Sequence, residues 1–121
     1  MSDRSRFAKK NLTHANLAGT DLADSDLHET TLRHATLKGT NMERSDLTQA
    51  DLSHADLSGS SLRDATAAHA NLEGADLRGA NLEGTNLTGA RLDGAKLDRD
   101  VPRPAAGQGE EQGADSDAAV N

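Results

Sequence analysis

The stretch Ala70-Asn71-Leu72-Glu73-Gly74, Ala75-Asp76-Leu77-Arg78-Gly79, Ala80-Asn81-Leu82-Glu83-Gly84, Thr85-Asn86-Leu87-Thr88-Gly89, Ala90-Arg91-Leu92-Asp93-Gly94 repeats every five residues. Each unit has a small residue, a polar residue, a leucine, a free position and a glycine. A period of five matches neither the 3.6 of a helix nor the 2.0 of a long strand. On an α-helix, successive leucines would lie about 140° apart and share no face. The period makes sense if every unit is one short extended piece followed by one turn, and if units bury their leucines against neighbouring units.

Outward from this stretch the pattern runs without an insertion. From residue 7 to residue 97 in steps of five there are nineteen central sites, and sixteen are leucine. They are Leu12, Leu17, Leu22, Leu27, Leu32, Leu37, Leu47, Leu52, Leu57, Leu62, Leu72, Leu77, Leu82, Leu87, Leu92 and Leu97, with Phe7, Met42 and Ala67 at the other three. Two residues earlier stand ten Ala, four Thr and four Ser, Lys10 being the exception. The residue just before each centre is mostly Asp, Asn, Thr or Ser.

Eight of the eleven glycines lie two residues after a centre, from Gly19 to Gly94. In a turn that starts at the leucine this is the third position, where a type II turn needs positive φ. The C-terminal half, with five such glycines in succession, is therefore expected to be uniformly type II. The N-terminal half carries His, Asp, Glu, Gln or Arg in many of these slots and is expected to use other turn types. A second period is superposed: Gly19, Gly39, Gly59 and Gly79 recur every twenty residues, as do His14, His34 and His54. Twenty residues are four units, which predicts a four-sided coil.

Repeats of the form A-(D/N)-L-x-x, such as Ala15-Asn16-Leu17 and Ala75-Asp76-Leu77, resemble the pentapeptide-repeat family. The resemblance covers Ser5 to Arg99. It implies an all-β fold, a right-handed quadrilateral β-helix of about four to five coils, with the centre and the small residue pointing inward and the other three positions facing solvent. At about 4.8 Å per coil, the strand spacing of a β-sheet, the rod is about 22 Å long. The best-known activity of the family is mimicry of DNA at gyrase, which protects that enzyme from quinolone-type inhibitors.

Composition agrees with a narrow core. The chain has 121 residues, 34% of them hydrophobic, and a single aromatic residue. That suits one domain at most and no conventional globular core. Absence of cysteine excludes disulfides, zinc-thiolate sites and a thiol nucleophile. Met1–Lys10 has no apolar stretch of the kind a secretory signal needs, and no run is long and apolar enough for a membrane helix, so a cytoplasmic location is expected. The chain divides into an extension (1–4), the solenoid (5–99) and an acidic tail (100–121) expected to be disordered. Phe7 is placed to plug the N-terminal opening, with Ser2–Arg6 across it; Pro102 and Pro104 stop ladder pairing at the other end. An open coil end makes end-to-end homodimerisation the expected mode of self-contact.

No catalytic residues, cofactor or metal are implied. Catalysis needs a concave site that excludes water, and a convex rod without inserted loops supplies none. The histidine column His14, His34 and His54, with Asp51 nearby, falls short of the four convergent ligands of a structural zinc. His28 and His69 read as surface residues of another face. Ala67 breaks the column Leu27, Leu47, Ala67, Leu87, and closure by neighbouring leucines is expected there rather than a pocket or a kink.

Charge points to a protein partner rather than nucleic acid. Between Ser5 and Arg99 there are 14 acidic and 11 basic residues, a net −3. The most acidic face carries Asp21, Asp24, Glu43, Asp64 and Glu83 against Arg44 and Arg63; the face of Lys38, Arg78, Lys96 and Arg99 is slightly basic. Direct nucleic-acid binding is not expected, since no broad basic patch with aromatic residues exists. A DNA mimic 22 Å long would need about thirteen negative charges at one per 1.7 Å, and the rod falls well short. The expected function is thus a non-catalytic, rigid protein-interaction scaffold with the acidic face as its contact; DNA mimicry at gyrase or topoisomerase is the alternative.

Overall fold

The structure, a computed structural model, describes residues 7–98. The extension 1–4, Ser5, Arg6, Arg99 and the tail 100–121 lie outside the described residues, as does the expected cover of Ser2–Arg6 over the N-terminal opening.

Five main-chain amides per unit must find acceptors, and their bookkeeping builds the coil. In the unit centred on Leu52, the amide of Asp51 donates to Thr30 O at 2.9 Å, that of Leu52 to Asn71 O at 2.7 Å and that of His54 to Glu73 O at 2.8 Å. These three run to the coils below and above. Ala55 donates to Leu52 O at 3.1 Å and closes the turn. The fifth amide, of Ser53, points where no carbonyl lies; it donates to the carboxylate Oδ1 of Asp51 at 3.1 Å. Every amide is then satisfied, as buried or half-buried main chain requires.

Repeated along the chain, this pattern gives fourteen parallel bridges, each joining residues twenty apart, from Asn11–Thr31 to Asp76–Lys96. The result is a right-handed quadrilateral β-helix. At twenty residues per coil, the 92 described residues make about four and a half coils.

The turns differ from the sequence expectation in the N-terminal half. All eighteen third positions, from Lys9 to Gly94, have positive φ, ten of them at residues other than glycine. His14, Asp24, Glu29, His34, Arg44, Gln49, His54, Asp64 and His69 sit between +58° and +67°, in the region glycine would choose. Positive φ at the third position alone is the type II pattern, so both halves use one turn type. The physical reason is the ladder. The third-position amides from Lys9 to Gly74 bond the next coil, as Gln49 does to Ala68 O at 2.9 Å, and a different turn would aim them elsewhere.

The core is a single column of central side chains flanked by the small residues. Leu22 through Leu77 are buried, and Phe7, Leu12, Leu17, Leu82 and Leu92 pack against the core while partly exposed at its two ends. Six Ser and Thr at the small position, Thr20, Thr30, Thr40, Ser45, Ser60 and Thr85, hold their hydroxyls on carbonyls: Thr40 Oγ1 donates to Leu37 O at 2.8 Å and Ser60 Oγ to Leu57 O at 2.7 Å. No kink forms at Ala67. It is buried, and its amide reaches Asn86 O at 2.7 Å while Leu47 reaches Thr66 O at 2.6 Å. Among the described residues no helix is long and apolar enough to cross a membrane.

Candidate functional site

The ladder places side chains twenty residues apart above one another, so each face is a small lattice. The face centred on Leu22, Met42, Leu62 and Leu82 brings Asp21, Asp24, Glu43, Asp64 and Glu83 together as sequence reasoning grouped them, but their charges are interleaved with arginine. Arg44 Nε and Nη2 donate to the two carboxylate oxygens of Asp24 at 2.9 and 3.1 Å, and Arg44 Nη1 reaches Glu43 at 3.5 Å. Arg63 lies 3.4 Å from Asp64 and 3.5 Å from Glu83. Ser61 donates its hydroxyl to Glu43 at 3.0 Å. The fifth acid, Asp21, accepts the amide of Ala23 at 3.1 Å. Five acids and two arginines leave a net −3 in an alternating, mutually oriented pattern rather than a uniform negative strip.

The opposite face carries the histidines. His14 and His34 stack with ring centroids 5.1 Å apart, His34 and His54 with centroids 5.3 Å apart, both pairs tilted by 12°. Stacked rings present their nitrogens side by side rather than toward one point. Desolvation between its neighbours, then the charges of His14, His54 and Arg33, push the His34 imidazole below its ordinary value, against the opposing pull of Asp51. Arg33 donates to Ser53 Oγ at 2.8 Å and lies 3.6 Å from Asp51. Burial alone would raise the Asp51 carboxyl, but the Ser53 hydroxyl and amide and the Arg33 charge outweigh it and hold it low.

On a third face His28 is half-buried rather than freely exposed. Its Nδ1 lies 2.6 Å from Asp26 Oδ1, and Asp26, His28 and Asp46 hold ligand-type atoms within 4.8 Å of one another. Asp26 accepts the amide of His28 at 3.1 Å, and Asp46 accepts both the amide and the hydroxyl of Thr48 at 3.0 and 2.6 Å. On the slightly basic face Arg78 is bound in bidentate fashion to Asp76 at 2.9 and 2.8 Å, which holds that carboxyl low. Lys96 stands over Asp76 in the same ladder.

The description "Pentapeptide repeats" matches residues 11–49, 25–64, 45–84 and 68–99, in eight copies. The chain belongs to the pentapeptide repeat family. Solved structures of the family share the fold. A pentapeptide repeat protein of the Arabidopsis thaliana thylakoid lumen is 32% identical at TM-score 0.76, covering 84% of this chain and 70% of that protein. HetL of the cyanobacterium Nostoc sp. strain PCC 7120, involved in heterocyst differentiation regulation, is 37% identical at TM-score 0.71 over 72% of this chain and 40% of its own. Rfr23 of the cyanobacterium Cyanothece 51142 is 43% identical at TM-score 0.56 over 67% of this chain and 58% of its own. No curated relative matches the chain.

Within the family repeat, the residue before each centre does more than face solvent. Twelve Asn or Asp side chains at that position accept the amide two residues on, including Asn11, Asp46, Asp56, Asn71 and Asn86. Their recurrence every five residues was the available signal, since Asn and Asp are the residues whose short side chains bond their own main chain two residues on.

Proposed function

We propose that this pentapeptide repeat protein is a non-catalytic, rigid scaffold whose charged lattice around Asp21, Asp24, Glu43, Asp64 and Glu83 binds a protein partner of complementary charge. The observation that supports the reading is the interleaving of Arg44 and Arg63 with those acids at 2.9–3.5 Å. Side chains fixed against one another on a hydrogen-bonded ladder offer a partner an ordered pattern of both signs, and they lose little further freedom when bound. The compartment that goes with this reading is the cytoplasm.

The same interleaving weakens the DNA-mimic alternative. A mimic must present unpaired negative charge at the density of a duplex, about one per 1.7 Å, whereas four of the five acids here share two arginines.

The test is affinity capture from host lysate with the intact chain, with an Asp24→Lys/Glu43→Lys/Asp64→Lys variant, and with an Asp24→Asn/Glu43→Gln/Asp64→Asn variant that keeps side-chain shape. Partner capture lost in both variants while circular dichroism stays unchanged supports the face assignment. Equal capture by all three removes it, and recovery of a topoisomerase by the intact chain alone moves DNA mimicry to the front.

A further inference from the structure

A β-helix has two unlike ends, and the pairing rule of this ladder says what each can bond. Toward the next coil, every unit offers the amides of its centre and of its third turn residue, and the carbonyl of its small residue. In the last described coil the amides of Leu87, Gly89, Leu92, Gly94 and Leu97 have no acceptor among the described residues, and the carbonyls of Thr85, Ala90 and Ala95 have no donor. Toward the preceding coil, every unit offers the complementary set. At the other end, the carbonyls of Asn11, Thr13, Asn16, Ala18 and Asp21 and the amides of Asn11, Asn16 and Asp21 are likewise without a partner among the described residues. One end carries the donors for the other end's acceptors, at the same spacing and in the same order.

We propose that copies of this chain associate head to tail, the C-terminal coil of one seating on the N-terminal coil of the next and continuing the ladder across the junction. The inference is independent of the scaffold reading. Nineteen units of five residues fix the offset: residue k of the second copy takes the place of residue k + 95 of the first. Because pairing joins residues twenty apart, Leu87 N then meets Asn11 O of the second copy, Leu92 N meets Asn16 O, and Leu97 N meets Asp21 O. The return bonds run from the second copy's Asn11, Asn16 and Asp21 amides to Thr85, Ala90 and Ala95 O.

Two further observations favour a second copy as the occupant. The central-column residues left partly exposed are those at the two ends, and in this register they meet as Leu82 with Phe7 and Leu92 with Leu17. Charge agrees as well. Lys96, exposed and already over Asp76, receives Asp21 of the second copy as its upper neighbour, so the lysine becomes bracketed by two carboxylates. Opposite charges directly across a ladder are favourable and like charges are not. A contact between unlike ends does not close on itself, so growth proceeds beyond the dimer.

Sedimentation velocity of the full chain, from micromolar to millimolar concentration at low salt, reads the outcome. The expected result is a mass that rises continuously past the dimer. Asp21→Lys and Lys96→Glu should each weaken the step by up to about 5-fold, one charge pair being worth up to about 1 kcal/mol, and the double variant should recover it. Asp21→Asn, which keeps the side-chain oxygen that accepts the Ala23 amide, separates loss of charge from any loss of fold and should weaken the step less than Asp21→Lys. A monomer at every concentration overturns the proposal; so do assembly that stops at the dimer and assembly indifferent to both single substitutions.

Discussion

Gln49 offers a direct measure of what the ladder spends on its turns. Its φ is +58°, its side chain makes no hydrogen bond among the described residues, and its amide bonds Ala68 O at 2.9 Å. An L-residue in this region costs about 1–2 kcal/mol through the approach of Cβ to the backbone. Glycine avoids that cost but gives the unfolded chain more freedom, worth about 0.4–1 kcal/mol. Gln49→Gly should therefore stabilise the rod by about 0.5–1 kcal/mol, the difference of the two effects. The reverse change is equally specific. Gly59 has φ +69° and a Cβ built there meets nothing within 4 Å. Gly59→Ala should cost about 0.5–1 kcal/mol for conformation alone. At Gly74 an added Cβ also runs into the His54 ring, so Gly74→Ala should cost more than Gly59→Ala, and the excess should vanish in a His54→Ala background. Thermal unfolding followed by circular dichroism resolves these differences, at about 4–8 °C per kcal/mol for a domain of this size. Destabilisation by Gln49→Gly together with a neutral Gly59→Ala would refute the argument that left-handed strain is stored at this slot.

Leu57, buried in the middle of the column, should lose about 2–5 kcal/mol on substitution by Ala, read as a fall in urea midpoint with little change in slope. Leu12→Ala, at the partly exposed end, should lose clearly less. Stability should fall on mild acidification: the His34 imidazole is held below its unfolded value of 6.5, so the unfolded chain takes up the proton first. That contribution is complete above 6.5 and is lost as the pH drops below it toward the folded value. His34→Asn, which suits positive φ, should flatten the urea midpoint between pH 7.5 and 5.5. Asp51 and Asp76, also held low, act in a separate window below their unfolded value of 3.8.

What the sequence made legible follows from which features repeat. Leucine at every fifth residue and columns recurring every twentieth are imposed by the coil itself, so the core and the four faces could be read without coordinates. Turn geometry could not be read the same way. Glycine at Gly74–Gly94 announces positive φ, whereas Glu29, Arg44 and Gln49 adopt the same φ because the amide at that slot must reach the next coil. Side-chain preference is worth about a kilocalorie per turn, and a misdirected turn would forfeit ladder bonds on both sides, so the ladder prevails. The acidic face was legible as a grouping but not as a pattern of charge. Which carboxylate Arg44 or Arg63 takes depends on how side chains lean between stacked coils, which no single unit encodes. The Asp at Asp21, Asp46, Asp51, Asp56 and Asp76 makes the same point from the other side. Formal charge counts them as surface electrostatics, yet each accepts the one amide its unit leaves without a carbonyl. What the turn requires is the side-chain oxygen, which Asn41, Asn71 and Asn81 supply without charge. These Asp are thus already engaged by their own units, and a partner-binding role is better sought at Asp24, Glu43, Asp64 and Glu83, which no turn requires.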